Sequence, residues 1–297
     1  MLLRQLCTLA LFTGLCQMTN AQYLPAAYNG SQKVNYVRSW EPKRPLTDPA
    51  AVASNTNIAE VSQSTQYFDG LGRPFQTVSK QWSPLRNDMV AAQEYDAYGR
   101  EAYQFLPFTS NVATAGDVTN DGKFKTDPFQ QQKAFYINQL PGQAQTYYYG
   151  QTNFEASPLN RPQTILPAGN SWVGSSRGVT QTYEINAASE VRLWTVSSTS
   201  GNVPASSAYY ASGTLFRNST TDEQGKRVVV YKDLEGRLLL KKVEINATGS
   251  AVITSHTDWL CTYYIYDDLS MLRWVIQPAG VEKLIAASWA FDNTSIT

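Results

Sequence analysis

One unit recurs four times in this sequence: Asp-x-x-Gly followed by a base. It stands as YFDGLGRP at residues 67–74, YDAYGR at 95–100, TDEQGK at 221–226 and YKDLEGR at 231–237. A Gly share of about 7% would supply roughly one Asp-x-x-Gly among 13 aspartates. The spacing has a physical reason. Asp at the first position of a type I turn accepts a hydrogen bond from the backbone two residues on, and Gly at the fourth enters the left-handed region without a Cβ penalty. Aromatic and β-branched residues before the turn suit a half-buried strand. Each unit therefore predicts a β-hairpin corner. The turn-forming sets are Asp69, Gly72 and Arg73; Asp96, Gly99 and Arg100; Asp222, Gly225 and Lys226; and Asp233, Gly236 and Arg237.

Strand-like runs surround these corners. NYVRSW at 35–40, VSQSTQY at 61–67 and PFQTVSKQW at 74–82 alternate with the first corner, and EAYQFLPF at 101–108 is read as the return strand of a second hairpin. From residue 209 onward, VVVYK, LLLKKVEI, AVITSH, TYYIYD and LRWVIQP follow one another with turns about every 8 to 12 residues. The expected fold is mainly β: an antiparallel hairpin or meander array, forming a curved sheet or a β-sandwich, with one or two short helices. PFQQQKAFYINQL at 128–140 is the better helix, with Pro128 at its start and Pro141-Gly142 at its stop, and VEKLIAASWAF near the end is the other. Residues 41–60, the Pro-broken NFEASPLNRP at 153–162, the Gly/Ser-rich 169–178 and the small-residue 198–208 read as loops.

Equal numbers of acids and bases, 24 of each, leave no electrostatic footprint for nucleic acid. The 18 Tyr, 11 Phe and 7 Trp supply the material for a large core. Residues 1–21 read as an export signal, with Arg4, a short apolar run and the small-residue exit Thr19-Asn20-Ala21. The apolar run is too short for a bilayer, and no later segment is long enough to span one. The expected organisation is a signal at 1–21, a polar lead-in at 22–34, a β domain at 35–278 and a truncated segment at 279–297. Export to the cell surface or exterior follows, by periplasmic transit.

Candidate chemistry is sparse. Signal removal leaves one histidine, His256, and one cysteine, Cys261, so a zinc site built from His and Cys alone is excluded, as is an internal disulfide. Asp117, Thr119 and Asp121 occupy the first, third and fifth positions of a calcium-loop pattern whose twelfth, normally Glu, is Pro128. A solvated turn is the preferred reading there, and no cofactor is expected. A Ser-His-Asp triad could use only His256, and no nucleophile elbow is present. Tyr147, Tyr148, Tyr149, Trp172, Trp194, Tyr209, Tyr210, Tyr263 and Tyr264 could form a sugar-stacking platform, against the preferred reading of core aromatics.

Together NYVRSW, YFDGLGRPFQTV, EYDAYGREAYQFLPF, QQKAFY, FEASPLNRP, TTDEQGKRVVVYKDLEGRLLLKKV and TYYIYDDLSMLRWVIQP, in that order, resemble Rhs-type tyrosine-aspartate repeat proteins. The resemblance is closest to the uncharacterised N-terminal domain found ahead of the Rhs core in secreted Bacteroidota proteins. It departs at YDDLSMLR, where Ser270 replaces the turn glycine and another turn type is expected. The resemblance implies a non-enzymatic module of a β shell enclosing or presenting a C-terminal effector, with the downstream Rhs core and that effector as partners. The chain then reads as a fragment that ends before either. The alternatives are a carbohydrate-binding surface adhesin and, behind it, a hydrolase.

Overall fold

A computed structural model describes residues 22–28, 34–199, 201–246, 249 and 251–291; the expected export signal lies outside them. The chain is mainly β and antiparallel throughout. A five-stranded sheet orders β1 (Asn35–Pro42), β2 (Val61–Phe68), β3 (Pro74–Ser79), β4 (Met89–Ala92) and β6 (Phe108–Thr109). A nine-stranded sheet runs from β16 (Leu272–Ile276) through β15 (Trp259–Tyr266), β14 (Leu238–Glu244), β13 (Arg227–Lys232), β12 (Phe216–Thr221), β9 (Val179–Ile185), β8 (Pro162–Leu166) and β7 (Tyr149–Phe154) to β5 (Tyr103–Phe105). A two-stranded ribbon, β10 (Arg192–Thr195) with β11 (Ala205–Tyr209), packs on the second sheet. Neither large sheet closes into a barrel, and no described helix is long and apolar enough to cross a membrane.

Alternation builds the core. On β15, Trp259, Cys261, Tyr263 and Ile265 are buried while their neighbours face outward, the two-residue period of a pleated strand. They pack with Val229, Tyr231, Leu240, Trp194 and the helix α3 (Pro278–Ala286), whose Val281 and Leu284 are buried. A separate cluster of Tyr67, Phe75, Val78, Val90 and Phe108 fills the first sheet's inner face. Helix α2 (Pro128–Gln139) is N-capped by Asp127, whose carboxylate accepts from Gln130 N at 3.0 Å.

Four sequence expectations are corrected. The second corner does not close a meander: β4 pairs with β6, while β5 joins β7 in the other sheet, so residues 96–100 carry the chain from one sheet to the next. Residues 41–60 are not all loop, because Asp48 caps a short helix, α1 (Pro49–Ser54). The loop assigned to 198–208 contains the start of β11. AVITSH at 251–256 is not a strand. Its carbonyls serve side chains instead: Arg227 Nη2 donates to Ala251 O, Trp259 Nε1 to Val252 O, and Lys242 Nζ to Ile253 O and Ser255 O.

The polar lead-in is a strap. Tyr23 stacks on Tyr103 at 4.1 Å and donates its hydroxyl to Glu94 at 2.6 Å, and Tyr28 packs among Phe75, Phe124 and Phe129. Burial of these phenols, with Glu94 nearby, raises both above the ordinary tyrosine range.

Candidate functional site

The corners share one hydrogen-bonding plan. At the first, Gly72 N donates to Asp69 O at 3.1 Å and Asp69 N to Arg73 O at 2.9 Å, a type I turn followed by a left-handed residue. Gly72, Gly99, Gly225 and Gly236 all sit at φ between 76 and 86°. The Asp69 carboxylate accepts from Leu71 N and Arg73 N, each at 2.9 Å, and from Arg73 Nε at 2.7 Å. Asp96 and Asp233 repeat the pattern with Arg100 and Arg237. The backbone N–H of Arg73, then its side chain, holds the Asp69 carboxyl below the usual range.

Two further corners carry the same plan in disguise. In YDDLSMLR the expectation of a different turn is overturned: Ser270 takes the left-handed position at φ 61°, and Asp267 accepts from Leu269 N, Met271 N and Arg273 Nε. In the supposed Pro-broken connection, Ser157-Pro158-Leu159-Asn160-Arg161 makes the turn, with Asn160 at φ 52°. Glu155 supplies the carboxylate, accepting from Arg161 Nε at 2.8 Å and Nη2 at 2.7 Å. Those bonds, with one from Ser157, lower its pKa to about 2. Asn, and less readily Ser, tolerates the left-handed region without glycine.

Because successive strands reverse, five corners lie along one rim: those opening at Asp69, Asp96, Ser157, Asp233 and Asp267. Their arginines link neighbours. Arg73 stacks on Tyr95 at 4.4 Å, and the Tyr95 hydroxyl donates back to Pro74 O at 2.7 Å. Arg100 stacks on Phe154 at 4.7 Å and donates to Asn160 Oδ1 at 3.2 Å. Arg161 stacks on Tyr183 at 4.4 Å, whose hydroxyl donates to Pro162 O at 3.1 Å. Arg237 stacks on Tyr266 at 5.5 Å and donates to Ser270 Oγ at 2.6 Å. Each guanidinium thus closes its own turn through Nε and reaches the next element with its outer face.

Residues 38–185 match a family model described as Domain of unknown function (DUF6443). The matched stretch takes in the corners at Asp69, Asp96 and Ser157 and ends with β9. No curated protein matches the chain. Among solved structures, it is similar to the TcdB2-TccC3-Cdc42 complex, at 14% identity and a TM-score of 0.42, over 78% of this chain and 10% of that one. It is also similar to the Photorhabdus luminescens Tc holotoxin pore, at 13% identity and a TM-score of 0.43, over 77% of this chain and 9% of that one. The chain therefore spans about a tenth of the length of the solved chains it matches.

The remaining sequence candidates separate in space. The calcium-like loop folds around a lysine: Lys125 Nζ donates to Asp88 Oδ2 at 2.8 Å, to Asp121 Oδ1 at 3.0 Å and to Val118 O. Asp117 accepts from Thr126 N at 2.9 Å and from Gln131 Nε2 at 2.7 Å, and Thr119 contributes its carbonyl to Asp88 N at 2.7 Å. The side-chain ammonium of Lys125 thus occupies the centre of the loop. Among the described residues no group of three His, Cys, Asp or Glu is placed to hold a metal.

His256 lies parallel to the Tyr263 ring and edge-on to Trp289, with Nε2 at 2.8 Å from the Tyr263 hydroxyl. Burial, then the nearby Lys242 and Arg192 charges, lowers its pKa to about 3, so the ring is neutral. Burial pushes the Cys261 thiol up to about 11, making it a poor nucleophile. The aromatics divide likewise: Tyr148, Tyr149, Trp194 and Tyr263 are buried, whereas Tyr147 and Trp172 line an open groove with Tyr136. What sequence reasoning missed is the receiving ring. Tyr95, Phe154 and Tyr266 each stand immediately before a corner's carboxylate residue, a signal visible in the sequence once the corners at Glu155 and Asp267 are counted.

Proposed function

We propose that this chain is a non-catalytic structural module of an exported Rhs-type repeat protein, part of a β shell that encloses or presents a C-terminal effector. The rim of arginine links carries the reading. Four rim corners each pass one guanidinium to the next element, so the sheet surface is assembled from nearest-neighbour contacts, the energetics of repeat architectures. Its carboxylates are consumed by backbone N–H groups and arginines, which holds them ionised and unsuited to general-acid chemistry. Among the described residues β16 is the last strand of its sheet, with its own corner at Asp267, and is where further hairpins of the same type would add. Protease protection tests the proposal in the exported full-length protein. The C-terminal effector should resist digestion with the native rim and become cleavable when Arg73, Arg100 and Arg161 are all replaced by Ala. Equal cleavage in both proteins, with both folded by circular dichroism, would contradict it.

A further inference from the structure

We infer that the cavity beneath the β10–β11 ribbon is a binding site for a small oxyanion, of the carboxylate, phosphate or sulfate type. The cavity has a volume of about 150 Å³ and is lined by Arg192, Trp194, Tyr210, Arg237, Tyr266 and Asp267, among others. A single water needs roughly 10–15 Å³ of such space, so a tetrahedral or planar oxyanion fits with solvent beside it.

Arg192 and Trp194 both line the cavity from β10, whose pairing with β11 is irregular between Leu193 and Thr195. Both reach the Trp289 ring, at 4.9 and 6.2 Å. Among the described residues, Arg192 Nε and Trp194 Nε1 are buried without a hydrogen-bond acceptor, and Trp194 is only 8% exposed. Buried donors of this kind call for a partner.

The surrounding charges identify its sign. The Arg192 guanidinium lies over Tyr209 at 4.5 Å and over Trp289, and no carboxylate among the described residues pairs with it. Arg237 is already matched by Asp233 and Glu235. Asp267 is saturated by Leu269 N, Met271 N and Arg273. Arg192 is therefore the one cation of the cavity wall with no carboxylate beside it among the described residues, and its Nε and Trp194 Nε1 are the donors left without an acceptor there. Arg217 makes the contrast: its Nε is also unpartnered, but Glu184 and Glu190 neutralise its guanidinium at 2.9 Å each. Water could accept from either donor of the cavity, yet only an anion also supplies the Arg192 guanidinium with an ion-pair partner.

The test is thermal unfolding of the purified protein, titrated at constant ionic strength with phosphate, with acetate and with chloride as reference. A saturable rise in Tm with phosphate or acetate, beyond that in chloride, is expected. A response to acetate alone assigns a carboxylate ligand, and one to phosphate alone a phosphate or sulfate group. Arg192→Gln and Trp194→Phe should each weaken the response roughly tenfold or more, the loss of one hydrogen bond to a charged group. Trp194→Phe keeps most of the aromatic packing and guards against a folding defect in Arg192→Gln. Responses equal to chloride, or unchanged in Trp194→Phe, would overturn the inference and leave the cavity to water.

Discussion

The corners at Asp96 and Asp222 have the same turn and different neighbours. Both carboxylates accept two backbone N–H groups, at 2.8–2.9 Å. The first corner closes with Arg100, which continues to Phe154 and Asn160. The second closes with Lys226, and among the described residues no ion pair joins Lys226 to Asp222. Topology explains the difference. The Asp222 corner joins β12 to β13 on the rim opposite the other five, where no corner of the same plan lies beside it among the described residues. Arginine stands where a corner must both close itself and grip the next element. Lysine suffices where closing is the whole task, because a point charge lacks the flat face and fork that do both.

Replacing each base separates the two cases most widely. Arg100→Ala should cost about 2 kcal/mol in urea unfolding, the sum of a partly buried ion pair and a stacked cation. Lys226→Ala should stay within about 0.5 kcal/mol. Equal losses would break the comparison. Next come the glycines of the linked rim. Gly72→Val and Gly99→Val both place a β-branched residue in the left-handed region, at about 1–2 kcal/mol. At Gly99 a new Cβ would also lie 2.9 Å from Arg73 Nη1, whereas nothing lies within 4 Å at Gly72. Gly99→Val should therefore be the worse of the two, by thermal melting.

Tyr95→Phe removes only the hydroxyl that donates to Pro74 O and should cost about 1 kcal/mol. Acid separates the linked rim more finely. The Glu155 pKa falls from an ordinary 4.5 to about 2 on folding, so its stabilisation is complete above 4.5 and is lost as pH falls toward 2. Glu155→Gln should flatten that part of the acid-unfolding curve. Smallest of all, Lys226→Arg should change stability by no more than about 0.5 kcal/mol, since among the described residues no aromatic or carboxylate partner faces it.

Much of this was legible in the sequence, and the misses have physical causes. Asp-x-x-Gly with a base located four corners because glycine marks the left-handed position. Asn160 and Ser270 hold the same position without it, and at the latter corner the arginine slides to Arg273, so both corners escaped the pattern. A turn also does not declare which sheet its second strand will join, and the corner at Asp96 proved to be a crossing between sheets. AVITSH has strand-like composition, but Arg227 and the buried Trp259 and Lys242 claim its carbonyls. That outcome depends on partners distant in sequence. The calcium-like loop carried its counter-ion within itself: Lys125 was visible at the pattern's ninth position, but its inward direction was not.

The central claim is that the rim arginines couple one corner to the next, beyond closing their own turns. A double-mutant cycle between Arg100 and Phe154, using Arg100→Ala, Phe154→Leu and the pair in urea unfolding, measures that coupling directly. The expected interaction energy is about 0.5–1 kcal/mol, the worth of a cation on an aromatic face at a partly exposed site. Strict additivity of the two single losses would contradict the claim and reduce the rim to a row of independent turns.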